Sequence, residues 1–453
     1  MQILLGTSDY HAQHGQLNVP VLWDSQILLN PHLLVCGKSG TGKTHQLRRL
    51  VTALAAQGVR VHVFDVHGDI RVEGESRVTF SASAGYGYNP LVLDPHPHAG
   101  GVRRGINGFL GLLGRTSRRM GDRQEAVLRA LLGDVYWLHG CRPDDPATWQ
   151  RREVDTAEHQ LLVQQRRYQE LRQCYPTLDD LVQYTERKLR ALYLGAAGNG
   201  GSRALTALEE VERLAAQLRR LADRACKPGA GDDEDLQKKL DRAREKAIAA
   251  YGEFVQAIET GRELDEALKY DSKETLRGVL DRLKNLQAAG IFSASPPPFT
   301  EQASAWVYDL RHLSSDEQLL LICTRAEAIF RQRLQAGEQP ELCEVILVDE
   351  AHKFLGSEDG DIFRRIALEA RKFGLGLWCS SQAPTHFSED FLATVACKML
   401  LGIDPLYWQT SARRLGIGEA VLKYVTPRQT AAVHMDQQGQ KRAPFFGVRL
   451  AAV

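Results

Sequence analysis

One stretch limits what this chain can fold into more than any other: the octapeptide Gly37-Lys38-Ser39-Gly40-Thr41-Gly42-Lys43-Thr44. The apolar run at residues 32–36, just before it, is typical of a buried strand. After it, apolar residues recur at helical spacing, namely Leu47, Leu50, Val51 and Leu54. A glycine-rich turn between a strand and a helix N-terminus points backbone N–H groups at an anion, and the helix dipole favours negative charge there. The pattern predicts a P-loop, which binds a nucleoside polyphosphate.

The residue types inside this loop assign chemical roles. In a P-loop the lysine reaches the β- and γ-phosphates, and the following hydroxyl ligates a magnesium ion. We therefore expect Lys43 to contact phosphate, Thr44 to bind Mg²⁺, and ATP with Mg²⁺ to be the cofactors. A glycine-rich turn without a ligand would not explain why a Lys-Thr pair opens the helix. The predicted nucleotide-binding residues are Gly37, Lys38, Ser39, Gly40, Thr41, Gly42, Lys43 and Thr44.

Composition narrows the class of protein. A chain of 453 residues is too long for one ordinary core, and 43% hydrophobic with 25% charged residues is typical of a soluble globular protein. We find no apolar run long enough for a membrane helix and no signal peptide, and we expect a cytoplasmic protein. Eight cysteines without a C-x-x-C pair argue against zinc and against a disulfide framework. The net charge of +1 means that nucleic-acid binding would have to come from local basic patches.

The middle of the chain differs in character from its two ends. From about residue 99, one amphipathic segment follows another, and charges of both signs nearly balance. A proline-rich stretch, Ser295-Pro296-Pro297-Pro298, ends this region. We therefore predict an α/β core in two parts, residues 1–98 and 299–453, with a helical insertion at 99–298. The insertion is expected to contain an αα-hairpin of coiled-coil character and to have a structural role.

A second diagnostic element lies about 300 residues after the P-loop. A buried strand, Val345–Val348, ends in Asp349 and Glu350. The aspartate can hold the magnesium ion beside Thr44, and the glutamate can polarise an attacking water. The next strand ends in Ser381 and Gln382, where a polar side chain can sense the γ-phosphate, although hydrogen bonding at a strand end is an alternative.

Polar residues also follow the strand after the P-loop helix, in the cluster Asp65-Val66-His67-Gly68-Asp69. Asp65 and His67 are candidates for the site because open α/β sheets bind ligands at the carboxyl ends of strands. A capped turn explains them nearly as well. Residues 1–31 show little periodic structure, and Asn18–Trp23 reads as a short strand or as a lead-in that stacks on a base. Two further strands, Thr430–His434 and Phe446–Val448, are expected to finish the sheet at its edge.

Several of these stretches together resemble the HerA branch of the HerA/FtsK ATPases. The resemblance covers residues 28–95 and 300–450, and the Asp65–Asp69 turn is similar to the Asp-Pro-His-Gly-Glu turn of that branch. The P-loop is generic, whereas the Glu-x-Arg-Lys-aromatic-Gly stretch after an Asp-Glu-Ala-His strand is much more specific. The stretches that carry the resemblance are Gly37–Thr44, Val348–His352, Glu369–Gly374 and Ser380–Pro384.

The resemblance implies a fold and an activity. The expected fold is α/β, a RecA-like P-loop NTPase sheet with a large all-α insertion. The expected assembly is a hexameric ring that translocates double-stranded DNA through its pore, with nucleotides bound between subunits. In that setting Arg371 resembles the arginine supplied to a neighbour's γ-phosphate, Glu350 the catalytic base and Gln382 the sensor.

One departure from the family concerns partners. HerA proteins usually carry an N-terminal β-barrel that helps to dock a nuclease, and only 36 residues precede Gly37 in this sequence. Docking of a nuclease by that route is therefore not expected, and the helical insertion is a candidate partner surface instead. A nuclease or another effector protein in DNA processing or phage defence remains the expected partner.

Three functions follow from these observations. The first is a ring-forming, ATP-driven translocase or helicase motor on duplex DNA. The second is a type IV secretion or conjugation ATPase, and the third is a ring scaffold or switch whose slow hydrolysis regulates a partner enzyme. If the chain is a motor, basic side chains should line its pore, because the DNA backbone is what such a motor grips. The candidate DNA-binding residues are Lys353, Arg364, Arg365 and Lys372.

Overall fold

A computed structural model of the chain describes residues 1–9, 11, 19–98, 100–116, 120–194, 210–211, 213–222, 234–257, 269–270, 272–355, 362–441 and 444–451. Within these residues, eleven strands form one mixed sheet. The strands are β1 (Gln2–Ser8), β2 (Pro20–Asp24), β3 (Leu33–Cys36), β4 (Arg60–Asp65), β5 (Ser76–Thr79), β6 (Ala305–Asp309), β7 (Glu344–Val348), β8 (Leu375–Ser381), β9 (Cys397–Leu400), β10 (Thr430–Met435) and β11 (Phe446–Leu450).

Helices cover the sheet and fill the middle of the chain. In chain order, the α-helices are α1 (Lys43–Ala55), α2 (Val102–Gly114), α3 (Asp122–Leu138), α4 (Thr156–Gln164), α5 (Tyr168–Leu171), α6 (Leu178–Leu194), α7 (Glu234–Ala257), α8 (Lys273–Ala288), α9 (Ser315–Gln335), α10 (Ile362–Glu369), α11 (Glu389–Thr394), α12 (Trp408–Leu415) and α13 (Glu419–Tyr424). Among the described helices, none is long and apolar enough to span a bilayer.

The strand order places the polar strand ends side by side. It runs β2-β1-β11-β10-β9-β3-β8-β7-β4-β6-β5. Neighbours from β9 to β5 pair in parallel, whereas β10, β11, β1 and β2 extend the sheet with antiparallel pairs. We call the side of the parallel strands where they end the carboxyl edge, and the side where they begin the amino edge. The P-loop follows β3 at the carboxyl edge, between β8 and β9.

The central parallel strands form because their residues are mostly apolar and are buried on both faces of the sheet. Every residue of β3 and of β8 is buried, as expected for a parallel sheet that is covered on both faces. α1 packs against this core through the predicted apolar stripe, which includes Leu50 and Val51. Trp23 of β2 and Trp378 of β8 meet edge to face in the same core, with ring centroids 5.4 Å apart.

The first 31 residues contain more regular structure than predicted: the short strand suggested at Asn18–Trp23 is present as β2, whereas β1 was missed. β1 and β2 form a hairpin-like antiparallel pair in which Leu4 lies opposite Leu22. Both of these leucines are exposed, so apolar residues occur on both faces of the pair and the sequence shows no clean alternation. The prediction that β10 and β11 finish the sheet was wrong. β1 and β2 continue the sheet beyond β11, and β2 is the edge strand.

The chain divides into two compact units, residues 1–88 with 289–453, and residues 89–288. In the second unit α8 packs against α3 and α6, and α3 also packs against α2. Its core contains regularly spaced side chains of α8, such as Leu276, Leu280 and Leu283. α7 provides one arm of the predicted αα-hairpin, while the turn of that hairpin, residues 223–233, lies outside the described residues.

Candidate nucleotide-binding site

The P-loop is held open by backbone contacts with the neighbouring strands. The N–H of Gly37 donates to the carbonyl oxygen of Ser381 at 3.0 Å, and the N–H of Lys38 donates to that of Gly402 at 2.9 Å. A Cβ on Gly37 would lie 2.5 Å from Oγ1 of Thr41, so only glycine fits at this close approach. Gly42 caps α1 with φ +97°, a left-handed conformation that favours glycine. The loop therefore has the open shape and free helix N-terminus that a polyphosphate requires.

The lysine of the loop and the glutamate after β7 form a buried pair. Nζ of Lys43 donates to Oε1 of Glu350 at 2.6 Å, and these side chains are only 13% and 5% exposed. Glu350 has φ +46°, which costs a residue with a side chain on the order of 1 kcal/mol. Its N–H donates to Oγ of Ser380 at 3.2 Å. Its Oε2 is buried and has no hydrogen-bond partner among the described residues.

Asp349 is the most deeply desolvated acid of the predicted pair. Burial, and to a smaller extent the charge of Glu350, raise the pKa of the Asp349 carboxyl above its usual value. Ser380 donates a hydrogen bond from Oγ to Oδ1 of Asp349, and Lys43 is also near enough to oppose this rise. Because burial disfavours the charged form of this carboxyl, a cation bound beside it would stabilise the carboxylate.

Three aspartates converge beside Thr44. Carboxylate oxygens of Asp65, Asp69 and Asp349 lie within 4.8 Å of one another. Asp65 accepts hydrogen bonds from the N–H groups of Gly68 at 2.7 Å and Ile70 at 3.1 Å, so it organises the turn. The turn brings Asp69 to Thr44, whose Oγ1 donates to Oδ2 of Asp69 at 3.1 Å. Thr44, Asp349 and Asp69 are thus the residues that could hold a divalent cation.

Thr44, Asp69 and Asp349 line one cavity of about 700 Å³, a size typical of ligand pockets. Gln382 and His67, both expected at this edge, line it as well. Sequence reasoning missed other cavity residues, and for Asp69 the signal was its place in the acidic turn after β4. The remaining lining residues are Lys38, Ser39, Gly40, Gly42, Lys43, Thr44, His45, Gln46, Arg48, Asp69, Asp349, Glu350 and Arg428.

A row of polar side chains continues from Glu350 towards the exposed His386. Oε2 of Glu350 lies 3.5 Å from Nδ1 of His352. Oγ of Ser381 lies 3.1 Å from the same ring nitrogen and 3.0 Å from Nδ1 of His386. Burial and the neighbouring His386 lower the pKa of His352, so this ring is neutral at pH 7.

Other predicted residues lie away from this cavity. Arg371 and Lys372 are exposed in the turn before β8, at the amino edge. The charge of Arg371, together with the larger effect of burial, lowers the pKa of His32, which directly precedes β3, to about 4. Lys353 is exposed after β7. Arg364 and Arg365 are on α10.

The two α10 arginines have carboxylate neighbours in their own chain. Nη2 of Arg364 lies 3.5 Å from Oδ2 of Asp390, and Nη1 of Arg365 lies 3.9 Å from Oε1 of Glu327. The Arg365 guanidinium also lies 5.5 Å from the ring centroid of Phe330. All of these groups are partly or largely exposed, so the pairs are weak.

Comparison with known proteins finds sequence similarity over part of the chain. Residues 11–84 match the family described as the central domain of the helicase HerA. Over 184 residues the chain is 28% identical to the DNA double-strand break repair helicase HerA of Pyrococcus furiosus, and this match covers 32% of each protein. A probable helicase of Methanocaldococcus jannaschii is 26% identical over 163 residues, covering 32% of this chain and 30% of that protein. The matched part of the chain is similar to HerA-type helicases.

The fold agrees with this relationship. The structure of VirB4 of Thermoanaerobacter pseudethanolicus superposes with a TM-score of 0.61 at 15% identity, over 100% of this chain and 96% of that one. The bacterial conjugative coupling protein TrwB superposes with a TM-score of 0.51 at 14% identity, over 96% of this chain and 87% of that one. The predicted HerA-type relationship and P-loop NTPase fold are thus confirmed. The matches to the two curated relatives span about a third of their length.

Proposed function

We propose that this chain hydrolyses ATP with Mg²⁺ and uses the energy to move double-stranded DNA, as one subunit of a ring. The observation that carries the hydrolysis is the buried contact between Lys43 and Glu350, 2.6 Å long, beside the acidic cluster at the carboxyl edge. A lysine for phosphate, oxygen ligands for a cation and a glutamate for a water are the parts that phosphoryl transfer to water needs. Here they come from three separate strand ends.

The cavity residues fit a magnesium nucleotide. The missing Cβ of Gly37 and the left-handed Gly42 open the loop for phosphate oxygens, and the helix N-terminus of α1 supplies N–H donors. Thr44, Asp69 and Asp349 would hold the cation, whose charge stabilises the negative oxygens of the transferred group. Glu350 lines the same cavity, and its carboxylate would accept a proton from the attacking water. Gln382, exposed in the same cavity, is placed to orient that water or the γ-phosphate.

The position of Arg371 supports assembly into a ring. It precedes β8, and the cavity lies after the end of the same strand. A strand of seven residues spans roughly 20 Å at ~3.3 Å per residue, so Arg371 cannot reach the cavity of its own chain. In a head-to-tail ring, the amino edge of one subunit can face the cavity of the next. Arg371 would then neutralise charge on the γ-phosphate in the neighbouring site, and a hexamer is the expected closure.

The proposed substrate of the motor is duplex DNA. The relatives that match in sequence are a DNA repair helicase and a probable helicase by name, which supports this choice. Lys353, Arg364, Arg365 and Lys372 are proposed to contact phosphates, which would give binding without sequence preference. A nuclease or other effector that acts with the motor, in DNA processing or phage defence, is part of the same proposal.

Measuring phosphate release by the purified chain, with Mg²⁺ and with or without linear duplex DNA, tests this proposal. We expect magnesium-dependent turnover that DNA stimulates and that higher salt suppresses. Turnover that duplex DNA leaves unchanged would favour a ring scaffold or switch instead. No turnover by an assembled ring with nucleotide, magnesium and DNA present would refute the proposal.

A further inference from the structure

A surface turn outside every recognised motif touches the P-loop. This turn, residues 425–429, connects α13 to β10. The N–H of Arg428 donates to the carbonyl oxygen of Thr41 at 3.1 Å, and its Nε donates to that of Gly40 at 3.2 Å. The aliphatic part of the same side chain packs on Gly42, where an added Cβ would lie 3.3 Å from Cγ of Arg428. Arg428 therefore contacts three successive residues of the P-loop, Gly40, Thr41 and Gly42.

The turn that presents Arg428 is firmly held. The N–H of Thr426 donates to Oγ1 of Thr430 at 2.7 Å, and the N–H of Thr430 donates back to the carbonyl oxygen of Thr426 at 3.0 Å. The carbonyl oxygen of Gln429 accepts from the N–H of Leu450 on β11 at 2.9 Å. These bonds fix the backbone on both sides of Arg428, so the direction of its side chain is set in advance.

The backbone of Arg428 is itself unfavourable for a large side chain. Its φ is +64°, and among the described residues only Arg166 and Glu350 share a positive φ without being glycine. Glycine or asparagine would occupy this conformation at lower cost, by on the order of 1 kcal/mol. A turn that needed only its shape would be more stable with either of those residues. The unfavourable φ therefore indicates that the arginine side chain has a function at this position.

The side of the cavity on which the turn lies indicates which part of a nucleotide Arg428 would contact. Glu350 and Gln382, at the ends of β7 and β8, mark the side where the terminal phosphate would lie. Arg428 reaches the loop from the opposite side, through β9 and β10. A nucleotide stretched across the P-loop would thus place the nucleoside end towards Arg428. Arg428 lines the cavity, and its terminal guanidinium nitrogens have no hydrogen-bond acceptor among the described residues.

We propose that Arg428 is a nucleotide-binding residue of its own chain, with its terminal guanidinium nitrogens paired to the phosphate nearest the nucleoside. This inference rests on the proposed nucleotide binding and extends it. The Nε bond to Gly40 holds the guanidinium plane, so little side-chain entropy is lost on binding. Because the contact does not involve the γ-phosphate, Arg428 serves ADP and ATP alike. It complements Lys43, which serves the other end of the polyphosphate.

Equilibrium binding of ADP and of ATP, each with Mg²⁺, to Arg428→Gln and Arg428→Lys tests the assignment. Losing a charge-assisted hydrogen bond costs about 1.5–3 kcal/mol, so Arg428→Gln should bind both nucleotides roughly 10- to 100-fold more weakly. Arg428→Lys keeps the charge but loses the Nε bond to Gly40, and should recover part of the affinity. The control is Lys423→Gln, which removes an exposed cation of α13 that pairs with Glu419. It should bind both nucleotides as the wild type does.

Each other outcome has a defined meaning. A Lys variant that binds as weakly as the Gln variant would make Arg428 a brace of the loop and overturn the phosphate contact. Unchanged affinity of Arg428→Gln would overturn it too, and a loss confined to ATP would move Arg428 to the γ-phosphate side. If the wild type itself bound neither nucleotide, the proposed function would fail first.

Discussion

One charged pair at the carboxyl edge and one arginine at the amino edge have very different surroundings. At the carboxyl edge, Lys43 and Glu350 are 13% and 5% exposed and 2.6 Å apart. At the amino edge, Arg371 is exposed, and the described residues offer it no carboxylate partner. A buried pair loses several kcal/mol if one member is removed, whereas an exposed arginine stabilises its own fold little. Lys43 and Glu350 are therefore paired within one chain, whereas Arg371 lies exposed at the edge that would face a neighbour in the proposed ring.

The largest expected effect comes from breaking the buried pair. Glu350→Gln should retain ATP but hydrolyse it on the order of 10⁴-fold more slowly, because the amide cannot accept the proton of the attacking water. Lys43→Ala should lose nucleotide binding and turnover together. Single-turnover phosphate release, with nucleotide binding measured in parallel, separates the two variants.

The matched control for this pair is Glu341→Gln, a change of the same type at an exposed glutamate before β7. It should hydrolyse ATP at the wild-type rate. Near-normal turnover in Glu350→Gln would remove the glutamate from its proposed role, and the carboxyl edge would then have to use another base.

The second effect tests the amino edge. Arg371→Ala should bind ATP normally and hydrolyse it on the order of 10³-fold more slowly, the loss typical of an arginine supplied to a neighbour's site. Mixing Arg371→Ala with Glu350→Gln subunits should restore part of the activity, since some interfaces then combine an intact Glu350 with an intact Arg371. The measurement is steady-state turnover against mixing ratio.

Arg413→Ala, a change at another exposed arginine, is the control and should leave turnover unchanged. No recovery at any mixing ratio, from subunits that do assemble together, would place the action of Arg371 within its own chain. A protein that stays monomeric with nucleotide and DNA, yet hydrolyses ATP, would contradict the ring.

Much of the carboxyl edge could be predicted from the sequence, because its determinants are local. Apolar runs followed by polar residues located β3, β7 and β8 and the side chains at their ends. What the sequence could not supply was contact between distant segments. Arg428 and Gly40 are 388 positions apart, and nothing in the turn around Arg428 shows that it meets the P-loop. Asp69 could have been predicted from its place in the acidic turn. Only the hydrogen bonds around Asp65 show that the turn brings Asp69 to Thr44.

Less of the amino edge could be predicted from the sequence. The interpretation of Arg371 came from a family resemblance, and its exposure is compatible with that role, which stays a prediction until a neighbouring subunit is tested. Short strands such as β5, Ser76–Thr79, were missed because four residues of which three are polar give no periodic signal. Pairing with β6 stabilises that strand, and the sequence alone does not show the pairing.

The third effect concerns the α10 arginines, which lie between the two extremes. They are exposed but have acidic neighbours, at 3.5 Å for Arg364 and 3.9 Å for Arg365. If they contact DNA phosphates, replacing both with alanine should reduce the slope of log affinity against log salt by about 2. The measurement is duplex binding at several salt concentrations, and DNA stimulation of turnover should fall with it.

Sizing by light scattering comes before the DNA assay, because loss of the ring would instead assign these arginines to subunit contacts. The control replaces Arg413 and Lys423 with alanine, which removes the same number of exposed charges elsewhere. An intact ring with unchanged DNA affinity and unchanged stimulation would refute the pore assignment.

The smallest effect is one of stability, and it tests whether burial at the carboxyl edge has a cost. Burial raises the pKa of Asp349, so the folded protein holds this carboxyl charged only at the expense of its own stability. Asp349→Asn keeps an oxygen that can accept from Ser380 but removes the charge. Without magnesium, at neutral pH, the variant should unfold on the order of 2 °C above the wild type. The measurement is the midpoint of thermal unfolding in the presence of a chelator.

The sign of the pH dependence decides whether this reason is correct. Since the pKa of Asp349 is raised in the folded state, the wild type loses stability relative to the variant as pH rises through that pKa. The difference should therefore shrink as acid protonates Asp349, because both side chains are then neutral. Asp69→Asn, at the exposed aspartate of the same cluster, should show no such gain while also losing the cation. An Asp349→Asn variant less stable than the wild type at neutral pH would mean that the attraction of Lys43 for Asp349 outweighs the cost of burying the carboxylate. The buried charges would then stabilise the carboxyl edge.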